Sequence, residues 1–177
     1  DKEAILCYDK ALQTQNKESD IWYNRGISLF RKGDYDSALA SYDNAIKLDS
    51  SNSNAWFNRG IILSILNRHA EAIQSYDKSL EFDPFDPVIW NNKGLSLINL
   101  KKYFEATECF DRVLEKDAKY AKAWNNKGWC LSLQNKDDQA IECYNKTLEL
   151  DEHNAKAWYN KGNSLMTLGK CEDAIDC

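Results

Sequence analysis

The chain has 177 residues and a formal net charge of −5, from 23 Lys and Arg against 28 Asp and Glu. Charges of both signs are interspersed rather than blocked, which argues against nucleic acid and anionic membranes as partners. No apolar run approaches the roughly 20 residues that a spanning helix needs, and Asp1-Lys2-Glu3 does not open a signal peptide.

Taken in order, the chain begins with Ala4, Tyr8 and Leu12 at a helical spacing of four. A second pattern follows, Trp22, Gly26 and Leu29 at i, i+4 and i+7, and the first returns as Ala38, Tyr42 and Ile46. The two then alternate. The Trp-Gly-Leu set recurs from Trp56, Trp90, Trp124 and Trp158, and the Ala-aromatic-aliphatic set from Ala72, Ala106 and Ala140. Every copy lies 34 residues from the next, without insertion or deletion. Such a period marks a tandem array, and a unit this small cannot bury enough surface to fold alone.

The spacing predicts two helices per unit, the first carrying Trp and Gly, the second Ala and the aromatic residue. Short polar connections, such as Lys32-Gly33-Asp34 and Asn135-Lys136-Asp137, imply antiparallel pairs. With the boundary three residues before each Trp, residues 1–18 are the second half of a truncated unit. Residues 19–52, 53–86, 87–120 and 121–154 are complete units, and 155–177 is truncated. The chain is thus expected to be one array and a piece of a longer protein. Bulk at Gly94 or Ala106 is expected to push a helix pair apart.

A 34-residue period with Trp, Gly, small Ala, an aromatic residue and an occasional Pro resembles the tetratricopeptide repeat family. The resemblance covers essentially the whole chain and implies an all-α, right-handed superhelical solenoid of antiparallel helix pairs. It implies that the first helices line a concave groove holding an extended peptide or a helix of a partner. It implies an adaptor without catalysis and without a cofactor. Two departures stand out. Arg25, Arg59, Lys93, Lys127 and Lys161 occupy the place before Gly where the family usually has Leu, and the inter-unit Pro survives only as Pro84.

On the first helix, one face is assigned to the second helix and another, with Ile62, Leu66, Ile89 and Leu100, to adjacent units. A third stripe is left. It holds Tyr23, Asn24, Ile27 and Phe30; then Phe57, Asn58, Ile61 and Ile65; then Asn91, Asn92, Leu95 and Ile98. In the last two units it holds Asn125, Asn126, Trp129 and Leu133, then Tyr159, Asn160, Asn163 and Met166. Apolar groups beside amides suit a peptide site; the competing reading is that neighbouring first helices bury part of the stripe against each other.

Asn24, Asn58, Asn92, Asn126 and Asn160 share one register. An amide both donates and accepts, so such a row can pair with a peptide backbone whatever its side chains. The row resembles the asparagine ladder of the tetratricopeptide superhelix in O-linked N-acetylglucosamine transferases. Solvation or local bonding of these amides is the plainer alternative. The clamp with which some members hold the C-terminal carboxylate of heat-shock chaperones is not assembled. Lys122 and Lys156 stand at a suitable register, but Asn126 and Asn160 replace the second cation. With Lys119, these lysines hint at an acidic ligand segment, against Asp20 and Asp86 towards the other end.

The basic residues before Gly are expected to pair with a recurring carboxylate, Asp9, Asp43, Asp77 and Asp111, or with linker Asp49, Asp83, Asp117 and Asp151, fixing the stacking of units. Cys7, Cys109, Cys143 and Cys177 share one register, too far apart between repeats for disulfides. Reduced cysteines, a reducing compartment and a cytoplasmic location are expected. No Cys/His cluster suggests zinc, and no catalytic constellation is present. Asn145-Lys146-Thr147 is a formal sequon, discounted because it falls inside an expected helix.

The favoured function is an adaptor for a protein or peptide partner. A structural spacer that self-associates through its ends, using Ala4, Tyr8, Ala174 and Ile175, is a second reading. The substrate-recruiting arm of a larger enzyme is a third.

Overall fold

The computed structural model describes residues 2–13 and 18–175, and every regular element among them is an α-helix. In chain order these are α1 (Lys2–Gln13), α2 (Ser19–Lys32), α3 (Tyr35–Leu48), α4 (Ser53–Ile65), α5 (His69–Phe82) and α6 (Pro87–Asn99). There follow α7 (Tyr103–Lys116), α8 (Ala121–Ser132), α9 (Asp137–Leu150), α10 (Ala155–Thr167) and α11 (Cys171–Ile175). The even-numbered helices carry Trp and Gly; the odd-numbered ones from α1 to α9 carry Ala and the aromatic residue. The helices group into two compact units, Asp1–Pro84 and Phe85–Cys177.

In the first unit, α2 pairs with α3 and α4 with α5, while α1 packs on α2 and α3 on α4. In the second, α6 pairs with α7 and α8 with α9; α7 packs on α8, and α10 on α9 and α11. The pairs are antiparallel. Ser19 Oγ, at the start of α2, donates to the carbonyl of Ala45 near the end of α3 at 3.0 Å, while the Phe30 and Tyr35 rings meet across the turn. Ser79 Oγ likewise donates to the Ser53 carbonyl at 2.9 Å. Within each unit the hairpins stack in chain order, the all-α helix-pair architecture of a solenoid.

Each turn within a pair passes through one left-handed residue: Gly33, Asn67, Lys101, Asn135 and Gly169, with φ between 58° and 83°. Left-handed backbone stops a helix by letting its last carbonyls accept bonds, and Gly33 N–H donates to the Phe30 carbonyl at 2.9 Å. Helix starts are capped where the side chain allows it. Asn52, Asp86 and Asn154 accept from Ala55, Val88 and Ala157 backbone N–H at 2.9, 2.7 and 3.1 Å. Pro87 is the first residue of α6, where its missing N–H leaves no helical bond unmade.

Close packing within a pair rests on Gly against an aromatic ring. A Cβ on Gly26 would lie 2.6 Å from Tyr42, on Gly60 2.5 Å from Tyr76, on Gly94 2.7 Å from Phe110 and on Gly128 2.6 Å from Tyr144. These rings are buried, as are Ala38, Ala72, Ala106 and Ala140 one turn before them. The crowding predicted at Gly94 therefore comes from the facing ring itself.

Two face assignments change. Ile98, placed on the open stripe, is buried; it lies seven residues, two helical turns, after Asn91, which is buried too. Leu100, placed on the inter-unit face, is exposed because it is the C-cap of α6, where the helical periodicity has ended.

Candidate functional site: the first-helix face

Within each unit the first helices use two faces for packing. Gly and Trp face the second helix of the same pair. Trp124 packs both on Leu131, Ala140, Cys143 and Tyr144 and on Val113, Leu114 and Ala123, joining two repeats. Its indole N–H donates back to the Ala118 carbonyl at 2.9 Å; Trp56 and Trp158 do the same to Ser50 and Glu152. The inter-repeat face is lined by small or aliphatic groups. Cys130 is fully buried there, its thiol donating to the Tyr103 carbonyl at 3.1 Å.

The basic residues before Gly bridge repeats. Arg25 pairs with Asp9 at 2.7 Å, Arg59 with Asp43 at 2.7 Å and Lys127 with Asp111 at 2.6 Å. Arg25, Arg59, Lys93, Lys127 and Lys161 also lie over the Trp three residues earlier, at 4.9 to 5.9 Å from the ring centre. Such contacts anchor the cations on the packing side of the helix.

The third face carries the peptide-site candidates. Their exposure varies: Asn24, Trp129, Tyr159 and Asn163 are exposed, as are Lys122 and Lys156. Ile27, Phe57, Asn58, Ile61, Asn92, Leu95, Asn125, Asn126 and Asn160 are partly covered, and Asn91 is buried. Tyr23 and Phe57 lean on the core rings Tyr42 and Tyr76 at 5.9 and 6.1 Å. Burial raises the Tyr23 phenol pKa, partly offset by the hydrogen bond from Asn58.

The asparagine row is stitched to its neighbours. Asn58 Nδ2 donates to the Tyr23 hydroxyl at 3.3 Å, Asn126 Nδ2 to Asn91 Oδ1 at 2.9 Å and Asn160 Nδ2 to Asn125 Oδ1 at 3.4 Å. Asn92 Nδ2 instead donates to the Val88 carbonyl within its own helix at 2.8 Å. Each stitch spans one period plus one residue and ties α2 to α4, α6 to α8 and α8 to α10 across this face.

In the second unit an apolar surface stands beside the stitched amides. Trp129 is 39% exposed and Leu133 40% exposed. The Trp129 indole N–H has no hydrogen-bond partner among the described residues, unlike those of Trp56, Trp124 and Trp158. Lys122, Asn126, Trp129 and Leu133 follow one another at four, three and four residues, the spacing of one helical stripe. Val88, exposed at the register of Lys122 and Lys156, belongs to the same surface and was missed in the sequence, where no lysine marks that register.

Elsewhere, Thr147 of the formal sequon is fully buried and bonded to the Cys143 carbonyl at 3.0 Å. Cys7 and Cys171 are free and exposed, while Cys109, Cys130 and Cys143 are free and buried; Cys177 lies outside the described residues. Burial pushes the Cys143 thiol up to about 11. No described helix is long and apolar enough to cross a membrane.

Models of the tetratricopeptide repeat match residues 2–40 and 23–87, 75–108 and 121–154. A protein prenyltransferase alpha subunit repeat model matches 103–134, the span of α7 and α8. Comparison with curated protein sequences gives no match. Among solved structures, MamA from Desulfovibrio magneticus superposes with a TM-score of 0.85 at 20% identity, over 92% of each chain. YrrB, a tetratricopeptide protein with an unusual peptide-binding site, gives 0.79 at 24% identity, over 96% of this chain and 87% of that one. PilF from Pseudomonas aeruginosa gives 0.78 at 21%, over 89% and 72%. At these identities the likeness is one of fold. With period, helix pairing and family models in agreement, the chain belongs to the tetratricopeptide repeat family.

Proposed function

We propose that this chain is a protein-interaction scaffold that holds an extended peptide segment of a partner on its first-helix face. Tetratricopeptide folds serve generally as protein- or peptide-binding scaffolds. The observation that carries the reading is Trp129: a large, amphipathic ring, exposed beside Leu133, whose N–H has no partner among the described residues, on a face that the second helix does not cover. A ring of this kind offers contact area at low entropic cost and a donor for a peptide carbonyl. Asn126 and Asn160, held in place through their Nδ2 groups, then act as fixed polar points whose side-chain carbonyl oxygens can accept from peptide N–H groups.

The test is selection of peptides from a displayed library on the intact chain, followed by binding to Trp129→Ala. Loss of at least tenfold in affinity with unchanged helicity supports the face; unchanged affinity moves the site elsewhere. Self-association is the second reading, favoured by the exposed Leu6 and Ile175, and a mass that rises with concentration in light scattering would support it.

A further inference from the structure

A groove of about 740 Å³ opens on the second-helix side of the second unit, with α7 and α9 as its walls and α8 as its floor. Trp124, Lys127, Leu131 and Gln134 line the floor at spacings of three, four and three residues, on the side of α8 opposite Asn126, Trp129 and Leu133. Two contacts tie the floor to α7 near either end: Lys127 pairs with Asp111 at 2.6 Å, and Gln134 Nε2 donates to Thr107 Oγ1 at 3.2 Å. Phe104 stands on the α7 wall, 72% exposed. Glu108 on α7 and Glu142 on α9 share one register, one on each wall. Both are exposed, and neither forms an ion pair among the described residues. Of the three lysines lining the groove, Lys127 and Lys146 are paired with Asp111 and Glu149, and Lys136 donates to Gln134 Oε1 at 3.2 Å. The two wall carboxylates are left unmatched.

The first unit has the same helix pairs without these side chains. At the registers of Phe104 and Glu108 it has Asp36 and Ala40 on α3, then Ala70 and Gln74 on α5. Leu39 and Leu66 stand where the second unit has Thr107 and Gln134. Its floor is crossed by the Arg59 guanidinium, which donates to Asp43 and Ser75 at 2.7 and 2.6 Å. Lys127, at the same register, is engaged by Asp111 alone, and Cys143 lines the groove instead of being bridged. An exposed Phe between two carboxylate-bearing walls is thus not demanded by the repeat, and an apolar surface of this kind marks an interaction site.

We propose that this groove is a second binding site, for an extended segment of a protein partner that carries Arg and an aliphatic residue two positions apart. Side chains at that spacing point to one side of an extended chain, so both enter the groove. The guanidinium meets Glu108 and Glu142, and the aliphatic group lies against Phe104 and Leu131. The cation is chosen by the unmatched carboxylates and by the net charge of −5, which draws a basic segment to the chain. A guanidinium serves two acceptors at once through its planar fork of donors, as Arg25 and Arg59 do inside the first unit. The site lies across α8 from Trp129 and is independent of the first-helix face.

The test is fluorescence anisotropy at low salt with a fluorescein-labelled heptapeptide holding Arg-Ser-Leu between Gly and Ser residues, beside companions with Gln for the Arg or Gly for the Leu. The proteins are the unmodified chain, Glu108→Gln/Glu142→Gln, Phe104→Ala, and Glu115→Gln/Glu172→Gln, the last removing equal charge from exposed positions outside the groove. Gln74 and Ala70 already occupy the first two registers in α5, so the helices accept these substitutions, which circular dichroism checks. Expected is binding of the Arg-Ser-Leu peptide that weakens roughly tenfold in the Glu108/Glu142 variant and with the Gln companion, the loss of one charge-assisted contact. Phe104→Ala and the Gly companion weaken it as well, while Glu115→Gln/Glu172→Gln leaves it unchanged. Equal losses in the two double variants would reduce the effect to overall charge and overturn the site. Equal binding of the Gln companion overturns the choice of cation, indifference to Phe104→Ala places the segment elsewhere, and no binding by the unmodified chain overturns the proposal outright.

Discussion

Arg59 Nη1 donates to Ser75 Oγ at 2.6 Å, sixteen residues further along the chain, while its Nε holds Asp43 of the preceding repeat. Arg25 makes the same fork between Asp9 and Ser41. Where Lys replaces Arg, Cys replaces Ser: Lys127 reaches Asp111 alone and Cys143 fills the second place, and the sequence pairs Lys93 with Cys109 in the same registers. A guanidinium has donors for two acceptors, whereas an ammonium already on a carboxylate leaves a thiol without cost.

The two positions should therefore be energetically coupled. Ser75→Cys and Arg59→Lys are each expected to cost about 1 kcal/mol, since each breaks a charge-assisted bond. The double variant should cost less than their sum by roughly 0.5–1 kcal/mol. Urea unfolding of the four proteins measures this, and strict additivity would contradict the coupling.

Gly60→Ala places a methyl 2.5 Å from the Tyr76 ring, which is buried and cannot swing away. Overpacking of about 1–3 kcal/mol should outweigh the ~1 kcal/mol gained in helix propensity. A lower Tm is expected; a higher one would mean that the ring yields.

Lys101 adopts φ 59°, at the register held by Gly or Asn in the other turns. Lys101→Gly should relieve a left-handed strain of about 1 kcal/mol, partly offset by the entropy of Gly in the unfolded chain. A Tm increase of a few degrees is expected, and a decrease would show that the Lys101 side chain matters more than its backbone.

Stability should fall as pH rises from about 9 to about 11 through Cys143, whose thiol is raised by burial from 9.0 to about 11. In that window the unfolded chain releases a proton that the folded chain keeps, so ionisation favours unfolding, by about 2–3 kcal/mol at the upper end. Tyr42 and Tyr144, also raised by burial, add to this only above about pH 10. Cys143→Ala should flatten the decline between pH 9 and 10 in chemical denaturation; an unchanged slope would assign it to other groups.

Trp124 and Trp129 lie on one helix and should behave oppositely. Trp124→Ala removes a ring that joins two core clusters and a bond to Ala118, and is expected to cost about 3 kcal/mol. Trp129→Ala should change stability by less than ~1 kcal/mol while weakening peptide binding. Thermal melts of both variants separate the roles, and comparable losses of Tm would place Trp129 in the core.

The repeat sequence by itself determined the helix pairs, because a strict 34-residue period with Gly and an aromatic residue sixteen apart leaves one way to bury both. It also assigned most residues to a face, since helical spacing is local. Only the tertiary structure decided what each face meets. Asn126 was readable as an open amide, yet its Nδ2 is bonded to Asn91, one period and one residue earlier. Leu100 left its expected face because the helix stops there, and Ile98 went under with Asn91. The Arg-Ser and Lys-Cys exchange was present in the letters, but its meaning depended on two repeats meeting at one guanidinium. Periodicity orients a side chain about its own helix axis; the partner it finds is set by the rotation and offset of the next helix, which no local spacing contains.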